Sequence, residues 1–276
     1  MMNPKDIIMG RLVELENEKN IRILFCVEAG SRAWRLDSKD SDYDVRYVFV
    51  RPLDDYLAVN ARPDVIKTTY DRKGMKAPEE GCYYDFVGFD LLKFARMLQS
   101  SNPQVIEWLM SDIIYYGNKR AFHEYGLNQF KPIALYFHYK SMCRNNYEKY
   151  LKTRSLVTYK KYLYAMRGLV NAKYIVVFDK VPPIDFPKTL LFMKDFLPKG
   201  VFDLLGNIIQ YKKKSREKSG IPNIPAIDEY IESFLKDDSE APKNKRLGIS
   251  HILDQEVVKI IKEEMMPPIG PRENAY

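Results

Sequence analysis

Two runs dense in β-branched and aromatic residues, IRILFCV over 21–27 and DYDVRYVFV over 42–50, enclose a short polar stretch that opens on Gly30-Ser31. Apolar runs of this length, bounded by turn residues, fit buried strands. The reading is strand, Gly-Ser turn, short helix, the polar loop LDSKDS, strand. A third strand is expected at 82–87, CYYDFV. Upstream, Ile7, Ile8, Leu12 and Leu15 recur at helical spacing, so 5–19 reads as a helix. Downstream, Asp90 reads as the N-cap of a helix whose face is Leu91, Phe94, Ala95 and Leu98. Asn102-Pro103 ends that helix, and VIEWLM begins another.

From about residue 130 strand signals thin and helical patterns take over. Pro132 suits the first turn of a helix reaching about residue 152. Tyr162, Ala165, Leu169 and Ala172 mark a second over 158–178. KTLLFMKDFL, VFDLLGNIIQYKKKSREK and IDEYIESFL read as further helices. VPPIDFP reads as a loop, SGIPNIP as a linker and APKNKR as a loop, while the terminal MMPPIGPRENAY looks irregular. The expected fold class is α+β: a small mixed β-sheet with flanking helices over 1–125, then an all-helical part over 126–276.

With 276 residues, 46% of them hydrophobic and 29% charged, the chain can bury a real core. No run of about 18 apolar residues occurs, so no spanning helix and no membrane partner are expected. The first twenty residues hold no continuous apolar stretch of the signal-peptide kind. Cys26, Cys82 and Cys143, like His123, His138 and His251, are too scattered for zinc or iron–sulfur ligand spacing. A soluble protein of a reducing, cytoplasmic compartment is the simplest expectation.

The net charge of +7 is unevenly spread: −3 over 1–118, +14 over 119–218 and −4 over 219–276. In the middle segment Lys140, Arg144, Lys149, Lys152, Arg154, Lys160, Lys161 and Arg167 interleave with tyrosines, and Lys212–Lys214, Arg216 and Lys218 form a second basic run. Cations neutralise phosphates and tyrosines stack on unpaired bases. The plainer reading is a solvated basic face with tyrosines packed between helices.

The residues that carry chemistry are Gly30-Ser31 and, after ten residues, Asp42-Tyr43-Asp44. Side chains at i and i+2 of a strand share a face, roughly 6–7 Å apart. Two carboxylates so placed can hold hard divalent cations such as Mg²⁺, with Mn²⁺ as an alternative. A Gly-Ser turn can bring backbone N–H groups and a hydroxyl against phosphates, with Arg32 opening a short helix. Asp85, between Tyr84 and Phe86, is the third carboxylate: beside the second strand it would complete the metal site and take a proton from an attacking hydroxyl. Arg46 shares the face of Asp44 and reads either as a phosphate contact or as a partner of an acid. Lys93 reads either as a triphosphate contact or as a solvated lysine. Glu107-Trp108 reads as core and capping structure.

The string AGSRAWRLDSKDSDYDVRYVFVRP, followed by DFVGFDLLKFARMLQSSNPQVIEWLMSDIIY, resembles the RNA repair pathway polymerase-β-like family of the DNA polymerase β-type nucleotidyltransferase superfamily. The helical half resembles it more weakly, through KKYLYAMRGLVNAKYI, PPIDF and YKKKSREK. Ala29 and Arg35 depart from the pattern, which has small Ser and Gly residues there. The resemblance implies transfer of a nucleoside monophosphate from an NTP to a hydroxyl. Asp42, Asp44 and Asp85 would be catalytic and metal-binding, and Gly30, Ser31, Arg32, Arg46 and Lys93 nucleotide-binding. The expected acceptor is RNA, gripped by Lys140, Arg144, Lys160 and Lys161. A protein or small-molecule (aminoglycoside-like) acceptor, and a non-catalytic nucleic-acid-binding module, are the alternatives.

Overall fold

The computed structural model describes residues 3–153, 156–214, 220–243 and 250–265. Helix α1 (Pro4–Lys19) starts where the Asn3 side chain accepts from the Lys5 amide, and it buries Ile8, Leu12 and Leu15. Strand β1 (Arg22–Glu28) leads into a single helical turn, α2 (Gly30–Ala33), then β2 (Tyr43–Val50) and a short α3 (Leu53–Leu57). Next come β3 (Val65–Tyr70), β4 (Tyr84–Asp90), α4 (Leu91–Gln99), α5 (Pro103–Met110) and β5 (Ile114–Gly117). The strands form one sheet in the order β3-β4-β2-β1-β5. Only β2 and β4 run parallel; the other neighbours are antiparallel.

Strands β3 and β5 are additions to the sequence reading, and the strand expected at 82–87 runs from Tyr84 to Asp90. Asp90 does cap α4, accepting from the Leu92 amide, and Asn102 caps α5 in the same way. The alternation of β2 divides the core. Val45, Tyr47 and Phe49 face α1 in one cluster, while Val48 and Val50 face α4 and the helices beyond it. Asp44 and Arg46 share the parity of Val48, so both point toward the side that the helical half covers.

That half comprises α6 (Arg120–Gln129), α7 (Pro132–Tyr150), β6 (Leu156–Thr158), α8 (Tyr159–Phe178), α9 (Phe186–Phe192), α10 (Lys199–Lys214), β7 (Gly220–Pro222), α11 (Pro225–Lys236) and α12 (Ser250–Met265). The segment expected as a linker, 219–225, contains β7, which pairs with β6. Helices α7 and α8 form its centre. They cross so closely at Gly168 that a Cβ there would stand 2.7 Å from the Tyr139 carbonyl oxygen. One apolar cluster runs without a break from Phe25, Val48 and Phe89 of the sheet through Trp108 and Tyr139 to Leu205, Ile231 and Val257. No helix among the described residues is long and apolar enough to cross a membrane.

Candidate active site

Chain direction decides where the acids meet. Because β2 and β4 are parallel neighbours, Asp44 lies directly across from Asp85. Asp42 sits just before β2 begins and is exposed. On the far side of β4, Thr69 of β3 pairs with Asp85. These residues, with Ser31, Lys67, Glu79 and Cys82, line a cleft of about 280 Å³. Lys160 and Tyr164, from the first turns of α8, supply its opposite wall. The cleft therefore lies between the sheet and the helical half.

The Gly30 turn is built into the site. Gly30 has φ +58, and a Cβ on it would stand 1.8 Å from Asp44 Oδ2. Only glycine permits that backbone and that approach together. The Ala29 amide donates to the Asp44 carbonyl at 2.8 Å, and the Ser31 carbonyl accepts from Leu36 at 2.9 Å. Arg35, one of the non-glycine residues with positive φ, adopts φ +59. Its guanidinium turns outward onto Asp112, at 2.6 and 2.8 Å, which offsets part of the left-handed strain.

Of the two readings of Arg46, the structure displays the pairing with the acids. Nη2 donates to Asp44 Oδ1 and to Asp85 Oδ2, both at 2.8 Å, and Nη1 donates to the Asp85 carbonyl at 2.6 Å. A cation shared in this way relieves the repulsion between two facing carboxylates. Asp85 Oδ1 is buried and accepts no hydrogen bond among the described residues. Among those residues no three carboxylate, thiol or imidazole groups already converge on one metal position. The donor set still suits a hard divalent cation, because Asp42, Asp44 and Asp85 line one cleft and Asp85 keeps a buried, unspent oxygen.

Sequence reasoning missed Glu28. The last residue of β1 is 0% exposed, and its carboxylate accepts from the Asp44 amide at 2.8 Å and from the Tyr115 hydroxyl at 2.6 Å. Burial pushes its carboxyl up to about 7, against the pull of those two donors. A carboxylate at a strand end reads as solvated, so no sequence signal marked it. Lys67 and Thr69 were missed as well, although the β-branched run VIKTTY was an available signal for them. Tyr164 stands among the tyrosines interleaved with the basic residues, one turn of helix from Lys160.

Of the other expected residues, all but Lys160 lie outside the lining of the cleft. Arg32 turns back on the loop before β2, donating to the Ser41 and Asp42 carbonyls at 2.5 and 3.0 Å with its guanidinium 3.9 Å from the centre of the Tyr43 ring. Lys93 does not join the cleft: it pairs with Asp64 at 3.1 Å, beyond the opposite end of β4 from Asp85. Lys140 is 2% exposed, donating to the Asp237 carbonyl and to Asp238. Arg144 is exposed on α7 and reaches the Leu235 carbonyl at 3.5 Å. The Lys161 ammonium lies 3.4 Å from the Tyr150 ring centre. Only Lys160 of these four lines the cleft. Tyr136, Tyr139, Tyr147 and Tyr162 are buried between helices, as the packing reading expects. Arg154, Arg216 and Lys218 lie outside the described residues.

Glu107 has a structural role. It accepts from Trp34 Nε1 and Tyr139 Oη at 2.9 Å and from Arg167 at 2.5 Å, while Arg167 stacks on the Trp34 ring at 3.6 Å. This buried pair ties the segment after the Gly30 turn to α5, α7 and α8. The Trp34 carbonyl also accepts from the Phe186 amide at 3.1 Å, and the Leu36 carbonyl from Lys212.

The sequence model of the RNA repair pathway DNA polymerase beta family matches residues 5–252. The uncharacterized protein YcgL of Bacillus subtilis is 31% identical over 244 residues, which span 87% of this chain and 88% of YcgL. A crystal structure of a nucleotidyltransferase-like protein from Exiguobacterium sibiricum aligns over 95% of this chain and 81% of its own, at 12% identity and a TM-score of 0.30. A likeness at that score adds nothing to the geometry.

Proposed function

The chain belongs to the RNA repair pathway DNA polymerase beta family, and on that premise we propose that it is a divalent-metal-dependent nucleotidyltransferase acting on RNA. The observation that carries the reading is the register that sets Asp44 against Asp85, with Gly30 packed on the Asp44 carboxylate. Asp42, Asp44 and Asp85 would hold Mg²⁺, or Mn²⁺ in its place. When bound, the metal supplies charge neutralisation for the triphosphate and lowers the pKa of the attacking hydroxyl.

The chain's own groups do the rest. The Gly30 turn and Ser31 take the β- and γ-phosphates, and Lys67 and Lys160 oppose their charge from the two walls of the cleft. The acceptor oxygen attacks the α-phosphorus, and its proton passes to Asp85 Oδ1. The bond from the α-phosphorus to the bridging oxygen breaks, and pyrophosphate leaves. Arg46 keeps Asp44 and Asp85 facing inward throughout. The segment charge of +14 supports RNA as the acceptor, with Lys160 nearest the chemistry and Lys161 and Arg144 as further phosphate contacts. Lys140 drops out of that set, since its ammonium is spent inside the fold.

Incubation with each labelled NTP and cellular RNA, with Mg²⁺ or with EDTA, tests the reading. Metal-dependent label on RNA is expected. Label on protein or on an aminoglycoside instead would overturn the RNA acceptor. No turnover of any NTP would overturn the reaction and leave a binding module.

A further inference from the structure

Three consecutive residues hold Asp44 at three different points. Gly30 abuts its carboxylate, the Ala29 amide donates to its carbonyl, and the Glu28 side chain accepts from its amide. The third contact has a topological cause. Tyr43 donates to Tyr83 on the β4 side, so the Asp44 amide points toward β1, where the strand has already left the sheet to form the turn. That amide would be left without a backbone acceptor, and Glu28 curls back to supply one.

Glu28 is itself fixed at every polar atom. Its amide donates to the Ile113 carbonyl at 2.9 Å, its carbonyl accepts from the Ser111 hydroxyl at 2.6 Å, and its second carboxylate oxygen accepts from Tyr115. A residue selected for stability alone at a fully buried strand position would be apolar, because burying a carboxylate is costly. Here the cost falls beside an acid of the proposed site. From this geometry we propose that Glu28, locked by Tyr115, is a positioning residue that sets where Asp44 presents its carboxylate to the divalent metal. The proposal rests on the nucleotidyltransferase reading.

Mn²⁺ alone serves as the probe, its binding followed by the paramagnetic signal of the free ion. The wild type is expected to bind Mn²⁺, and Glu28→Ala to bind it about 10- to 100-fold more weakly, the range for loss of a group that orients a metal ligand. Glu28→Gln keeps an acceptor for the Asp44 amide, so its affinity is expected within about threefold of the wild type. That rescue separates positioning from simple loss of negative charge. A merely structural role would lower the melting temperature of Glu28→Ala while leaving its folded fraction with wild-type affinity, and that result would overturn the proposal. Should Glu28→Ala not fold, Tyr115→Phe decides: at least about threefold weaker binding supports the proposal, and wild-type affinity overturns it. A wild type that binds no Mn²⁺ would overturn the underlying reading and this proposal with it. Wild-type binding with no change in Glu28→Ala removes this proposal alone.

Discussion

Replacing Gly30 by alanine tests the site through a single atom. The added Cβ would lie 1.8 Å from Asp44 Oδ2, where real Cβ contacts stay beyond 3.0 Å, so the carboxylate has to retreat by more than about 1 Å. It cannot retreat freely, because Arg46 holds Oδ1 at 2.8 Å. The backbone at φ +58 adds a left-handed penalty of about 1–2 kcal/mol for an L-residue. A displacement of about 1 Å in a positioned catalytic group can cost about 10²-fold in rate. Gly30→Ala is therefore expected to lose more than the roughly 1–2 kcal/mol of backbone strain, because the collision adds to it, and at least about 10²-fold in turnover. Gly81→Ala is the control. Gly81 has φ +80 with nothing within 4 Å of a Cβ, so it bears the same kind of strain without the collision. Urea unfolding should show a loss in Gly30→Ala larger than the strain-only loss of Gly81→Ala, while NTP turnover falls only in Gly30→Ala. Equal turnover in the two would refute the packing of Gly30 against Asp44 as a catalytic requirement.

Asp44→Asn and Asp85→Asn should each abolish transfer. Each should also cost about 1–3 kcal/mol in chemical denaturation, because Arg46, with a side chain 12% exposed, loses a charged partner; a gain in stability would refute the shared-cation account. Lys140→Ala should cost about 1–3 kcal/mol and leave the salt dependence of RNA binding unchanged. Lys160→Ala should reduce the slope of log affinity against log salt by about 1, and titrations at several salt concentrations compare the two. Asp90 is 5% exposed, and its carboxyl is raised mainly by burial. The folded state thus holds its proton to higher pH than the unfolded state, and stability from this group is lost as pH rises from about 4 through the folded titration. Asp90→Asn keeps the cap, so its urea midpoint should gain on the wild type across that window, and a constant gap would refute the assignment.

The part of the site legible in the sequence is the part made of local pattern. Gly30-Ser31 and Asp42-x-Asp44 stand between two apolar runs at a spacing the chain itself defines. Asp85 showed because a carboxylate between aromatic strand residues has few ordinary explanations. What stayed hidden depends on distant partners. Glu28 is identical in sequence to a solvated strand end until Tyr115 and the Asp44 amide are placed beside it. Lys140 counts as one more surface cation until Asp237 and Asp238, nearly a hundred residues later, arrive to accept from it. Arg46 could not be assigned without knowing that β4 lies parallel to β2. The short β5 and the small β6–β7 pair carry too few residues for periodicity to reveal them.

The anchoring of the Trp34–Leu36 segment has a consequence for the order of synthesis. A ribosome delivers the Gly-Ser turn and all three acids within the first third of the chain. The Leu36 carbonyl waits for Lys212, 176 residues later, and Trp34 waits for Phe186 and Arg167. At roughly 5–20 residues per second, Lys212 emerges roughly ten to thirty seconds after Leu36. A nascent or truncated chain in that interval carries the complete signature but lacks the buttress behind its turn. The proposed activity would thereby wait until the helical half has been made.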